Sequence, residues 1–140
     1  MCGIVVLFGT EIDISSNVLT HRGPNEYGSK TLKKCRMDFY RLAINDLTST
    51  GMQPFVQRDE SMLVCNGEIY NHKEFRTGNE IGTSDCEVLL PMIERYGIME
   101  TVDKINGDFA LVYTTGDRVI AARDPLGVRP LFYTRYDTNS

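Results

Sequence analysis

The stretch GDFALVYTTGDRVIAARD, residues 107–124, restricts the fold more than any other part of this 140-residue chain. Two runs of period-2 alternation flank Thr115-Gly116-Asp117, the pattern of a β-hairpin that joins antiparallel neighbours. Residues 2–8 (CGIVVLF) are β-branched and apolar and end at Gly9, as a buried strand does. CRMDFYRLAI (35–44) alternates as a strand, with Met37, Phe39, Arg41 and Ala43 on one side. SMLVC (61–65) predicts a short strand that Asn66-Gly67 ends sharply; PLGVRP predicts a turn and LFYTR a last strand. HRGPNEYG (21–28) and LTSTGMQP (47–54) carry loop chemistry, and residues 10–20 hold one helical turn at most.

The best helix signal is SDCEVLLPMIERYG (84–97). Ser84 is placed as N-cap with Glu87 at N3 in a capping box, and Gly97 at C′. Cys86, Leu89, Leu90, Ile93 and Tyr96 form the apolar stripe, and Pro91 predicts a kink. Roughly six strands with one or two helices and hairpin-length connections predict an antiparallel α+β protein of one domain.

Composition excludes several function classes. A net charge of -4 offers no field for nucleic acid or an anionic membrane. No apolar run approaches the roughly 18 to 20 residues of a membrane span, and a signal peptide's basic n-region is missing, so a cytoplasmic location is expected. Cys2, Cys35, Cys65 and Cys86 are scattered, and His21 and His72 sit at no ligand spacing, so neither a metal site nor a disulfide framework is expected. Cys35, Cys65 and Cys86 read as buried thiols.

Cys2 stands out by position. It is either a small hydrophobe in an edge strand or, once Met1 is removed, a first-residue nucleophile. In the second case its own α-amino group, titrating at about 7.7 to 8.0, supplies the general base. Asn66-Gly67 is either a hairpin turn or a pair of donors, side-chain amide and backbone N–H, aimed at one oxyanion. Arg41 is a snorkelling edge residue or a bidentate carboxylate clamp. Asp85 is a helix N-terminal acid or a ligand for a substrate ammonium. Taken together, a thiol with an amine base, an oxyanion site, an arginine and an acid are what glutamine hydrolysis needs.

The motifs MCGI, HRGPN, RLAI, GMQP, NGEIYNH, TSDCEVLL, INGDFAL and ARDPLGVRPLFY occur in the order of the class II glutamine amidotransferases. The chain resembles most the glutaminase domain of the asparagine synthetases, over residues 2–133. The resemblance implies an N-terminal-nucleophile hydrolase-like αββα sandwich of two antiparallel sheets. It implies that L-glutamine becomes L-glutamate and ammonia through a Cys2 thioester, with Asn66 and Gly67 at the oxyanion. It also implies Arg41 at the α-carboxylate, Glu68 and Asp85 around the amino group, and Leu42, Ala43, Ile44 and Asn45 lining the pocket.

The chain departs from the family pattern in ways that predict reduced helical layers. Residues 10–20 leave no room for a usual helix, the stretch from NGEIYNH to TSDCE is short, Phe39 stands where a histidine is common, and HRGPD has become HRGPN. Residues 1–140 are expected to be a single compact or truncated amidotransferase domain without a synthetase domain, since no SGGxDS stretch is present to hold ATP. No cofactor is expected on this chain; ATP-Mg would belong to a separate, asparagine-synthetase-like partner that accepts the ammonia. The alternative reading is a catalytically idle glutamine-binding or regulatory domain docked on such a partner.

Overall fold

The computed structural model describes residues 2–10, 12–42, 51–80 and 82–136. Strands β1 (Gly3–Phe8), β2 (Glu26–Leu32) and β3 (Cys35–Arg41) form an antiparallel sheet in the order β1-β3-β2. Strands β4 (Phe55–Gln57), β5 (Ser61–Ile69), β6 (Gly107–Thr114) and β7 (Val119–Arg123) form a second, in sequence order. Between β5 and β6 come two 3₁₀ turns, His72–Phe75 and Asp85–Val88, then helices α1 (Leu89–Tyr96) and α2 (Ile98–Lys104). None of the described helices is long and apolar enough to cross a membrane.

The layers follow from strand alternation. Cys35, Met37 and Phe39 of β3 meet Met62 and Val64 of β5 and Val112 of β6, with Cys2, Ile4 and Val6 packed alongside. The opposite face of the second sheet, carrying Leu63, Cys65, Ile69, Phe109 and Leu111, buries against Val88, Leu89, Met92 and Ile93. Middle strand β5 is therefore covered on both faces and reads as a continuous apolar run. The expected α+β sandwich of two antiparallel sheets is present, with its described helices on the second sheet's outer face. The far side of the first sheet carries the segment around residues 13–19: Arg36 donates to Asp13 at 2.8 Å, and Leu19 lies against Gly3.

Several expectations are corrected. Asn66-Gly67 does not end a strand; β5 runs on to Ile69, in register with β6 from Met62↔Thr114 to Ile69↔Gly107. The turn reading of Asn-Gly fails because Asn66 and Gly67 are themselves paired in the ladder, opposite Ala110 and Phe109 of β6. Glu26 to Gly28, expected in a loop, begin β2, an edge strand whose exposed polar residues hide its period. LFYTR forms no strand: residues 131–136 have no ladder partner. Strand β3 ends at Arg41; Ala43, and with it the rest of that expected strand, lies outside the described residues.

Residues 84–97 begin as a 3₁₀ turn, and α1 starts only at Leu89. Ser84 makes no side-chain cap bond, and Glu87 Oε1 accepts from the Gly82 N–H instead, so the capping box is absent. The late start puts Pro91 in the first turn, where its missing N–H needs no partner, and this replaces the expected kink. Gly97 caps α1 as expected, at φ +79° with its N–H on the Ile93 carbonyl at 2.8 Å. The hairpin at 107–124 has the expected form, and Cys35, Cys65 and Cys86 are buried free thiols.

Candidate active site

Cys2 sits one residue ahead of β1. The register Gly3↔Tyr40 brings it beside the end of β3, where the Leu42 N–H donates to its Sγ at 3.2 Å. The thiol reaches back to the Leu42 carbonyl at 3.4 Å. Burial pushes the Cys2 thiol above its ordinary value; the Leu42 N–H and the Arg41 charge pull the other way without prevailing. The sulfur is therefore a neutral thiol at pH 7 and needs a base to become a nucleophile.

Arg41 closes β3 and is only 3% exposed. Its residue number has the parity of Met37 and Phe39, which face the second sheet. Glu26, opposite in register, accepts from Arg41 Nη1 at 2.8 Å and is itself 41% exposed at the side chain. A buried guanidinium thus lies against a carboxylate that water reaches.

On β5, Asn66 is buried opposite Ala110, with the parity of Met62 and Val64, whose side chains pack with Cys2. Gly67 lies opposite Phe109, and a Cβ there would sit 2.0 Å from the Asp108 carbonyl oxygen. Only glycine permits that approach of two backbones. Glu68 follows, half-buried opposite Asp108. Asp85, buried in its 3₁₀ turn, accepts from the Ile69 N–H at 2.6 Å and so fastens the helical layer to the end of β5.

Two further thiols lie close by. Cys86 shares a hydrogen bond with the Cys65 thiol, and with complete burial this holds it well above the ordinary thiol range, so it stays protonated. Among the described residues no group of three or more His, Cys, Asp or Glu is placed to hold a metal ion. A cavity lined by Leu7, Gly9, Thr10, Asp13, Lys33 and Arg36 lies at the other end of β1 from Cys2.

Of the residues singled out in the sequence, Cys2, Arg41 and Leu42 come together directly. Asn66, Gly67 and Glu68 follow one another on β5, with Asp85 bonded to its end. Ala43, Ile44 and Asn45 lie outside the described residues. Sequence reasoning missed Glu26, the partner of Arg41, and Gln53 in the GMQP loop, whose side chain is buried against Cys65. A polar residue followed by proline in front of a short strand was the signal available for Gln53, and it reads as an ordinary turn.

The family model of the glutamine amidotransferase domain matches residues 1–140. The chain belongs to that family. It is 41% identical over 149 aligned residues to "Asparagine synthetase [glutamine-hydrolyzing] 2" of Oryza sativa subsp. japonica, covering 94% of this chain and 25% of that protein. It is 37% identical to "Asparagine synthetase [glutamine-hydrolyzing]" of Homo sapiens, covering 94% of this chain and 26% of the relative. "Amidase chyE" of Penicillium rubens is 36% identical over 132 residues, 89% of this chain and 20% of the relative. This amidotransferase domain thus spans a fifth to a quarter of the length of these relatives.

Proposed function

We propose that the domain hydrolyses L-glutamine to L-glutamate and ammonia, with Cys2 as nucleophile. The observation that carries this is the seating of the Cys2 sulfur on the Leu42 amide, directly after the buried Arg41. Removal of Met1 would free the Cys2 α-amino group, which takes the thiol proton. The thiolate adds to the side-chain amide carbon, and the resulting oxyanion accepts from the Asn66 amide and the Gly67 N–H. The C–N bond breaks, the ammonium proton passes to the leaving nitrogen, and ammonia departs from a thioester. Water, deprotonated by the same amine, adds to the thioester and releases glutamate and the thiol. Arg41 would hold the α-carboxylate, with Glu68 and Asp85 toward the α-ammonium and residues 42–45 along the pocket.

In this reading residues 1–140 act as one cytoplasmic amidotransferase domain, and ammonia passes to a synthetase partner, asparagine-synthetase-like, that binds ATP-Mg. The test is intact mass together with a glutaminase assay of the chain with and without cell extract. A mass lacking Met1 and glutamate production abolished by Cys2→Ala support the reading. Retained Met1 with turnover unchanged by Cys2→Ala overturns it. The Glu26–Arg41 pair favours a second reading, an idle glutamine-binding domain, which calorimetry would reveal as binding without turnover.

A further inference from the structure

Gln53 stands where the ladder between β4 and β5 would continue. The last described pair of that ladder at this end is Phe55↔Leu63, and the same register extended sets residue 53 opposite Cys65. The backbone has already turned away there: a Cβ on Gly28 of β2 would meet the Gln53 carbonyl oxygen at 2.6 Å. The side chain takes over. Gln53 Oε1 accepts from the Cys65 N–H at 2.7 Å, and Gln53 Nε2 donates to the Cys65 carbonyl at 3.2 Å. Both bonds are buried, Gln53 being 5% exposed, and a primary amide is the uncharged side chain that copies a strand's donor and acceptor together.

The Cys65 carbonyl belongs to the same peptide plane as the Asn66 N–H. Gln53 therefore grips that plane from one side while β6 pairs with Asn66 from the other. We propose that Gln53 is a positioning residue for catalysis: it fixes the Cys65–Asn66 peptide and so aims the Asn66 side chain at the developing oxyanion. This rests on the oxyanion role proposed for Asn66 above. A donor that acts in the transition state lowers kcat when misplaced and leaves substrate binding nearly untouched.

The experiment is a double-mutant cycle in the full chain, with kcat and KM for glutamine measured on protein shown to be folded. Gln53→Met keeps length and volume and loses both bonds; Gln53→Glu keeps the acceptor for the Cys65 N–H and, ionised, turns a second acceptor on the Cys65 carbonyl. Gln53→Met should lower kcat roughly tenfold, about one hydrogen bond's worth, and Gln53→Glu at least as much. KM should stay within about twofold for both. Asn66→Ala should lower kcat about 10²–10³-fold, and adding Gln53→Met to it should cost little more. Full additivity of the two losses, or a folded Gln53→Met with parental kcat beside a slow Asn66→Ala, overturns the positioning role alone. An Asn66→Ala enzyme with parental kcat overturns the oxyanion reading, and the inference falls with it.

Discussion

Replacing Gly67 by alanine perturbs a point in the middle of the ladder where β5 and β6 approach too closely for a side chain. The added Cβ would lie 2.0 Å from the Asp108 oxygen, 2.6 Å from the Phe109 Cα and 2.9 Å from the Asp108 carbonyl carbon. Ordinary contact begins at 3.4 Å, so the first distance falls 1.4 Å short. All three atoms are backbone of β6, and no rotamer change relieves the clash. Moving β6 away by that amount stretches ladder bonds from about 2.9 Å to beyond 4 Å, where no hydrogen bond survives. Two bonds at about 1 kcal/mol net each, with about 1–3 kcal/mol for a buried group left unpaired, give a loss of roughly 3–5 kcal/mol. At roughly 3 °C per kcal/mol for a chain of this size, Tm should fall by about 9–15 °C in calorimetry. Gly9→Ala is the control: its Cβ meets nothing within 4 Å, and only φ +63° opposes it, for about 1–2 kcal/mol. A Gly67→Ala protein whose Tm lies within about 2 °C of the parent would refute the reasoning.

Other substitutions separate charge from scaffold. Asp85→Asn retains an oxygen for the Ile69 N–H and loses the negative charge, so the fold should hold while KM for glutamine rises roughly tenfold; kinetics and a melting curve together check this. Asp38, 1% exposed, accepts from Arg36 Nε at 3.0 Å and Nη2 at 2.9 Å and from Ser29 Oγ at 2.6 Å. Asp38→Ala should cost about 2–3 kcal/mol in urea denaturation, since hydrogen bonds to a charged group are lost together. Burial raises the Cys35 thiol above its ordinary value near 9, against the opposing Thr114 hydroxyl. The unfolded chain then releases a proton that the folded chain keeps, so stability is full below pH 9 and declines as pH climbs above it. Cys35→Ala should flatten that decline in denaturation curves taken across alkaline pH.

Local pattern was informative where one element decides its own form. The β6–β7 hairpin, the apolar β1 and the glycine cap of α1 follow from residues within a few positions of one another. Strand β2 was hidden because an edge strand with a wet face has little apolar period, and Glu26 to Gly28 look like more of the HRGP turn. Asn66-Gly67 misled for the opposite reason: the dipeptide is a turn signal locally, and the long β6 ladder overrides it. The candidate site was legible as residue types at motif spacings, including Cys2, Arg41, Asn66, Gly67 and Asp85. Its supports were not, because the Leu42 amide on the sulfur, Glu26 across from Arg41 and Gln53 beside Cys65 are contacts between distant segments.

The excursion from β5 to β6 leaves and returns through a narrow neck. The Tyr70 N–H donates to the Asn106 carbonyl at 2.7 Å, Asn71 Nδ2 to the Lys104 carbonyl at 3.0 Å, and the Asn106 N–H to Asn71 Oδ1 at 2.8 Å. Asp85 adds a second fastening, on Ile69. Between these two anchors the chain reaches the exposed Gly78, at φ +88° with open space around it. Glu80 gathers the Thr77 and Gly78 N–H groups at 2.8 and 2.9 Å within this tip, so residues inserted at Gly78 should leave the β5–β6 ladder intact. A protease that nicks at Gly78 should leave two fragments associated, held by the β5–β6 pairing, and that tip is the place to graft a tag or a sensor domain.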